Sequence, residues 1–252
     1  PWTIPSNQAV AVNPEFNYCL VGNAEQAYLL EESLVENLIE KYQLQGAKIL
    51  STISGDKLVG IKLQHPLYER SVPIIAADYV TNDSGTGAVH ISPSHGMDDY
   101  NAGIKNNLPL TSPLMATGIF DDHDIHLSGI HVSKANPIVI DALEKNNALL
   151  AYKKIEHSYP HCWRHKTPII FRATPQWFIG MQENNLLQDT LSKVEHIKWL
   201  PSWGKQRITN MLVDRPDWCI SRQRSWGTPI PLFVHQKTGK LHPNSLELIS
   251  KV

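Results

Sequence analysis

The sequence predicts an α+β fold, in which a barrel-like domain of short strands with flanking helices is followed by a smaller mixed segment. Short apolar runs bounded by turn-forming residues recur between residues 9 and 92, as in sheets built from short strands. Few helical segments separate them, which argues against a doubly wound parallel sheet. Six of the seven tryptophans lie beyond residue 160. We therefore place one domain at 1–160 and a second segment at 161–252.

Two strands are predicted near the start of the chain. AVAV at 9–12 and FNYCLV at 16–21 are rich in β-forming residues, and the turn-forming pair Asn13-Pro14 separates them. Four later runs also predict strands, each bounded by turn residues: KILSTI at 48–53, LVGIKL at 58–63, VPIIAADYV at 72–80 and GTGAVHIS at 85–92.

Three segments predict helices. The first is AEQAYLLEESLVENLIEKY at 24–42, because Leu30, Leu34, Leu38 and Ile39 recur at helical spacing. The second is MDDYNAGIKNN at 97–107, with Asp98 near its cap. The third is SKANPIVIDALEKNN at 133–147, where Ser133 is a possible cap.

Composition narrows the class of protein. The chain has 252 residues, 42% of them hydrophobic and 19% charged, which is typical of a globular protein. A formal net charge of -1 provides no global attraction to nucleic acid, so any contact with RNA requires a local site. Three widely spaced cysteines suit a reducing compartment, and we expect a cytoplasmic protein. No apolar run approaches the roughly 20 residues that span a bilayer, so we expect no membrane association.

The stretch GTGAVHISPSHGMDDY at 85–100 is the strongest candidate for a binding site. Gly85 and Gly87 allow the backbone to approach a ligand closely. His90 lies on the polar face of the predicted strand, and Asp98 and Asp99 follow at a helix start, where a carboxylate is held ionised and can bind an ammonium group. A glycine-rich turn, a strand and a capped helix are also ordinary architecture. The pattern contains neither a nucleophile elbow nor a phosphate-binding loop.

Two weaker patterns point to other chemistry. HCWRH and DDHDIH supply five possible metal ligands, but no second Cys-x-x-Cys accompanies them, so no metal is expected; they are His161, Cys162, His165, His123 and His126. In CISRQRSWG, Arg222, Arg224 and Trp226 suit either contact with RNA or the fixing of a loop.

Four stretches of the sequence together resemble the isoleucyl-tRNA synthetases. They are PWTIPSN at 1–7, GTGAVHISPSHGMDDY at 85–100, HCWRHKTPIIFRATPQWF at 161–178 and DRPDWCISRQRSWGTPIP at 214–231. The resemblance runs from the inserted editing domain onward and covers essentially the whole chain. Pro-Trp-Thr is the discriminating feature, because the valyl and leucyl enzymes continue with Arg-Pro. In the family a run of threonines that helps form the editing pocket immediately precedes it, so we expect this chain to begin just after that run.

The resemblance implies hydrolysis of the ester that joins valine to the terminal adenosine of isoleucine tRNA. A hydrophobic pocket gains only about 1–3 kcal/mol from one methylene, a limit for which the isoleucyl enzyme is itself the standard example, so a second pocket must remove the error. Editing requires no cofactor, whereas the parent enzyme uses ATP and magnesium. The sequence has neither His-Ile-Gly-His nor Lys-Met-Ser-Lys-Ser, the activation signatures of the family, so this chain is not expected to aminoacylate.

The resemblance also implies roles for individual residues. Asp99 would bind the α-ammonium group, and Thr3 would act beside the threonine run. His90 would line the pocket, either as a base that positions water or as a steric wall that excludes isoleucine. The implied substrate-binding residues are Asn7, Gly85, Thr86, Gly87 and Asp98. The implied partners are the 3′ acceptor end of isoleucine tRNA, its valine moiety and the remainder of the synthetase.

The chain departs from the usual family wording at Ser92, Ser94 and Met97, and none of these positions carries an assigned role. Two other functions fit the same sequence. One is a catalytically silent fragment that binds the tRNA acceptor end. The other is a valyl-type editing domain that acts on threonyl esters, which Pro-Trp-Thr argues against.

Overall fold

The computed structural model describes residues 1–23, 26–44, 46–83, 85–215, 217–222, 226–227 and 229–251. Within it the chain divides into two compact units, Pro1–Ala173 and Thr174–Val252.

The first unit contains seven strands and three α-helices among its described residues. The strands are β1 (Ala9–Val12), β2 (Asn17–Gly22), β3 (Ala27–Glu31), β4 (Lys48–Ser54), β5 (Lys62–Gln64), β6 (Ser71–Ala76) and β7 (Ala88–Ile91). The helices are α1 (Val35–Lys41), α2 (Met97–Lys105) and α3 (Ala135–Lys145). Single 3₁₀ turns cover Ile4–Ser6, Glu32–Leu34, Gly55–Leu58 and Val132–Lys134.

These strands form two sheets. In the four-stranded sheet, of order β5-β6-β1-β7, β1 pairs parallel to β6 and antiparallel to β7. The other sheet is antiparallel, with β2 between β3 and β4. The predicted α+β class is confirmed. The described strands form separate small sheets and do not close on one another, so the barrel-like arrangement is not confirmed.

Strand β1 lies between β6 and β7 in the four-stranded sheet, and three of its four residues are buried. Ala9 and Ala11 pack with Ala102 of α2, and Val12 packs on the opposite face with Tyr18 of β2. Alanine allows close approach of the helix, while Val12 and Tyr18 join the two sheets. The sequence of β1 is wholly apolar, as expected for a strand that is covered along most of both faces.

The helix predicted over 24–42 is wrong in its first half. Residues 24 and 25 lie outside the described part of the chain, and Ala27–Glu31 forms β3, which pairs with β2. Only Val35–Lys41 is α-helical. Leu30 and Leu38 enter the same buried cluster from the strand and the helix respectively, which explains why their spacing looked like one continuous helix.

Other boundaries differ less. The strand predicted at 58–63 is reduced to β5, because Gly55–Leu58 forms a 3₁₀ turn. At the turn before α3, the ring of His131 accepts a hydrogen bond from the backbone N–H of Ser133, so the histidine side chain, and not that of Ser133, caps this turn.

The second unit is smaller and mixed. It contains α4 (Leu186–Glu195), α5 (Trp203–Val213), α6 (Ser245–Ile249) and a two-stranded ribbon, β8 (Phe178–Ile179) with β9 (Trp218–Cys219). Across the described parts of both units, the helices are too short or too polar to cross a membrane.

Candidate functional site

Pairing of β1 with β7 brings two distant stretches of sequence together. Val10 lies opposite His90, and the pairing continues beyond the strand, where Gln8 N–H donates to the Ile91 carbonyl at 2.9 Å. The 3₁₀ turn Ile4–Ser6 directly precedes this point. The predicted site residues of the N-terminal stretch therefore lie beside those of 85–100.

Thr3, Asn7 and His90 form one hydrogen-bonded cluster. Asn7 Nδ2 lies 2.7 Å from His90 Nδ1, and Thr3 Oγ1 lies 3.2 Å from His90 Nε2. Asn7 Nδ2 also donates to the Ala9 carbonyl at 2.8 Å, a contact that only the amide nitrogen can make. Since this nitrogen faces both acceptors, His90 Nδ1 must carry the lone pair and Nε2 the proton.

The imidazole of His90 is neutral at physiological pH. Burial lowers its pKa to about 4. In the neutral ring, Nδ1 accepts from Asn7 and Nε2–H donates to Thr3, so both nitrogens are engaged. The Thr3 hydroxyl accepts this bond and keeps its own proton for a further partner.

Asp99 lies at the end of the strand that carries His90. Its Oδ2 accepts a hydrogen bond from Ser92 N–H at 2.7 Å. Helix α2 approaches this point closely, because a Cβ on Gly103 would lie only 2.7 Å from Pro93 Cβ. Among the described residues, Oδ1 of Asp99 has no hydrogen-bond donor, so it is available to a ligand.

The electrostatics of Asp99 differ from the expectation for a helix end. Burial raises the pKa of its carboxyl group, and the neighbouring charge of Asp98 raises it further, against the opposing effect of the Ser92 hydrogen bond. A helix N-terminus alone would lower the pKa. Asp98 itself is exposed and lines a surface cavity of about 330 Å³ together with Tyr79 and Lys105.

The stretch Gly85-Thr86-Gly87 is bound to the three-stranded sheet. The Thr86 carbonyl accepts from Glu31 N–H at 3.0 Å, and the Gly87 carbonyl accepts from Tyr18 Oη at 2.7 Å. Gly87 has φ +76°, and a Cβ at this position would overlap Glu31. Packing against β3 therefore requires glycine here. Gly85 has φ +70° and faces open space.

Two residues of this region were missed by sequence reasoning. His65 and Arg70 both donate to backbone carbonyls of the N-terminal turn, at Ile4, Pro5 and Asn7. His65 carried no signal beyond a turn-forming His-Pro pair, and Arg70 carried none, because the contacts span more than sixty residues of sequence.

The weaker sequence patterns do not converge on a site. Among the described residues, no three His, Cys, Asp or Glu side chains are grouped so that they could hold a metal ion. Cys162 Sγ lies 3.4 Å from His165 Nδ1. Arg222 donates to the carbonyls of Cys219 and Ser221 within its own loop, and Trp226 is 93% exposed. Arg224 lies outside the described residues.

Comparison with solved structures supports the fold. The crystal structure of GlLeuRS-CP1 superposes with a TM-score of 0.50 at 20% sequence identity, covering 62% of this chain and 81% of that one. At this identity the likeness concerns the fold alone.

Comparison of sequences identifies the family. Isoleucine--tRNA ligase of Psychrobacter arcticus is 51% identical over 250 residues, and that of Legionella pneumophila (strain Paris) is 50% identical over 252 residues. The matches cover 99% and 100% of this chain but 27% of each relative. The family model for tRNA synthetases class I (I, L, M and V) matches residues 8–252. The chain therefore belongs to the class I tRNA synthetases, and its resemblance to the isoleucyl members extends along its whole length.

Proposed function

We propose that this chain hydrolyses the ester that joins valine to the terminal adenosine of isoleucine tRNA, as the editing part of a longer ligase. The observation that carries the proposal is the convergence of Thr3, Asn7 and His90, with Asp99 bound to the backbone two residues beyond His90. A hydroxyl group and a carboxylate with one free oxygen are the groups that an aminoacyl ester, with its carbonyl and its α-ammonium, would require.

The proposed reaction needs water and no cofactor. Water adds to the ester carbonyl, the bond between that carbon and the ribose oxygen breaks, and the ribose oxygen takes up a proton. Free valine and uncharged tRNA result. The proton that the attacking water loses would pass to the ribose oxygen, the Thr3 hydroxyl would donate a hydrogen bond to the ester carbonyl oxygen, and Asp99 would hold the ammonium group. Pairing with a cation would also favour the ionised form of Asp99, opposing the effect of burial.

We propose that His90 orients Thr3 and does not act as the general base. Its Nδ1 lone pair is directed at Asn7, and a group with a pKa of about 4 is a weak base at neutral pH. The half-buried ring would at the same time limit the size of the pocket. Gly85, Thr86 and Gly87 would approach the adenosine, with the open face of Gly85 available for that contact.

For the longer protein we propose three properties that its resemblance to the isoleucyl-tRNA synthetases implies. These are a cytoplasmic location, contact with the acceptor end of isoleucine tRNA, and use of ATP and magnesium in an aminoacylation domain outside this chain. We also propose, on the sequence pattern, a barrel-like arrangement of the strands and a domain boundary at residue 160.

A silent acceptor-end binding function is the second candidate. It is favoured by the raised pKa of Asp99, which disfavours the ionised form that would bind the ammonium group, and by the engagement of both His90 nitrogens, which leaves the ring no free lone pair to accept a proton from water.

Hydrolysis of charged tRNA separates the two candidates. Valyl and isoleucyl esters on isoleucine tRNA, and the threonyl ester on valine tRNA, would be incubated with the full natural chain and with its Asp99→Asn variant. We expect selective cleavage of the valyl ester and its near-complete loss on substitution. Asp141→Asn, on the exposed face of α3, is the matched control. Binding of acceptor-end RNA without any cleavage would establish the silent function, and preferred cleavage of the threonyl ester would indicate a valyl-type site.

A further inference from the structure

We propose that His65 and Arg70 are positioning residues that hold the turn bearing Thr3 and Asn7 against His90. The inference rests on the proposed function, because the turn matters to catalysis only if Thr3 and Asn7 serve the hydrolytic site.

The turn is weak by itself. It has three internal bonds, from Ile4 N–H to Pro1, from Ser6 N–H to Thr3 and from Asn7 N–H to Ile4, each at 2.9 Å. Such a short 3₁₀ segment has poor hydrogen-bond geometry and little cooperativity. Its position must therefore be set by contacts from elsewhere in the fold.

Side chains from elsewhere bind every carbonyl from residue 4 to residue 7. His65 Nε2 lies 3.0 Å from the Ile4 oxygen, and Ser92 Oγ donates to the Ser6 oxygen at 3.2 Å. Arg70 Nη2 donates to the oxygens of both Pro5 and Asn7, at 2.8 and 2.9 Å. His65 and Arg70 lie in the connection between β5 and β6, and Ser92 directly follows β7. The donors therefore tie the turn to two separate parts of the four-stranded sheet.

The positively charged guanidinium of Arg70 is bound to two neutral backbone carbonyls. Among the described residues no carboxylate lies within ion-pair distance of its guanidinium, and its buried Nε has no partner. The guanidinium instead lies over the ring of Tyr68, with its central carbon 5.4 Å from the ring centroid. Here two hydrogen bonds from one nitrogen span the turn, at the residues on either side of Ser6.

His65 is fixed in the one tautomer that can serve the turn. Its Nδ1 accepts from the N–H groups of Leu67 and Tyr68, at 3.0 and 3.2 Å, so the proton of the neutral ring is on Nε2. That proton is donated to the Ile4 carbonyl. The ring is 2% exposed, which leaves it no alternative partner in solvent.

The consequence for the site is geometric. Thr3 and Asn7 flank the turn and contact opposite nitrogens of His90, so a shift of the turn misplaces both contacts together. Displacement of a reacting group by about 1 Å can cost roughly 100-fold in rate. Because His65 and Arg70 bind the carbonyls of the turn, we expect their loss to lower turnover more than binding of the tRNA.

The test compares Arg70→Met with Arg172→Met in the full natural chain. Arg172 is also partly buried and donates to one carbonyl, that of Leu114, but it does not touch the turn. We expect kcat for valyl ester cleavage to fall about 10-fold to 100-fold in the first variant with KM nearly unchanged, and to stay unchanged in the second. His65→Leu and His126→Leu form a second pair, since the ring of His126 donates to the Leu67 carbonyl and packs against Tyr68 but makes no hydrogen bond to the turn.

Hydrogen exchange supplies a readout that does not depend on activity. Amide exchange at Ser6, Asn7 and Gln8 should be about tenfold faster in Arg70→Met and unaltered in Arg172→Met. Should Arg70→Met not fold, His65→Leu removes the donor to the Ile4 carbonyl instead, and the same two measurements apply.

The outcomes distinguish the two proposals. Unchanged exchange at the turn, or unchanged kcat despite faster exchange, overturns the positioning role. Absence of hydrolysis in the unsubstituted protein overturns the proposed function, and the exchange rates then decide by themselves whether Arg70 holds the turn.

Discussion

Asn7 Nδ2 lies 2.7 Å from Nδ1 of His90, a residue 83 positions later in the chain, and 2.8 Å from the carbonyl of Ala9. This single amide nitrogen decides which ring nitrogen of His90 carries the proton. It thereby directs the Nε2–H of His90 at Thr3. The state of the ring is therefore controlled by a neighbour that cannot ionise.

Asn7→Asp should reverse this control. A carboxylate of the same shape faces two acceptors, so it repels the Ala9 carbonyl and attracts a proton to His90 Nδ1. We expect the pKa of His90 to rise from about 4 and the protein to lose about 1–3 kcal/mol of unfolding free energy. NMR titration of the labelled imidazole and urea denaturation measure the two effects. A His90 pKa that stays near 4 would contradict the tautomer assigned above.

On the acid side of the pH–rate profile, the acid limb, the rate of hydrolysis should depend on the ionisation of Asp99. Only its ionised form binds an ammonium group, so kcat/KM is expected to fall as pH drops through a pKa that lies above the usual value for aspartate. Because the charge of Asp98 contributes to this elevation, Asp98→Asn should move the limb to lower pH. A pH–rate profile for both proteins tests this. A limb that moves to higher pH, or not at all, would show that another group titrates.

Stability should decline between about pH 6.5 and pH 4. Burial lowers the pKa of both His65 and His90 to about 4, whereas the unfolded chain binds these protons near 6.5. The unfolded state therefore binds more protons in this window, and each histidine costs at most about 1.4 kcal/mol for every unit of pH lowered. His65→Gln should flatten the decline. Urea unfolding at several pH values measures it, and a decline that is equally steep in the variant would argue against this origin.

Gly87→Ala should be far more damaging than Gly85→Ala. Both residues have positive φ, +76° and +70°, which disfavours alanine by about 1–2 kcal/mol in each case. Only at Gly87 would the new Cβ also overlap Glu31 Cβ, so the strand β3 would have to move. Unfolding free energies of the two variants give the comparison. Equal losses would mean that the contact with β3 can relax freely.

Much of the fold could be predicted because its signals are local. The strands around residues 10, 19 and 50 and the helices starting near 97 and 135 were all visible as apolar runs or helical spacing bounded by turn residues. The helices and strands of the second unit were not predicted, and Ala27–Glu31 was predicted as the wrong kind of element. Its apolar residues face the same cluster as α1, and periodicity alone cannot distinguish a strand followed by a helix from one longer helix.

The sequence by itself determined which residue types are present at the candidate site and the family to which they belong, because motifs such as GTGAVHISPSHGMDDY are contiguous. Tertiary structure alone decided that Asn7 holds His90, that burial raises the pKa of Asp99, and that Arg70 and His65 grip the N-terminal turn. Each of these depends on contact between distant segments and on exclusion of water. Neither can be inferred from the order of residues along the chain.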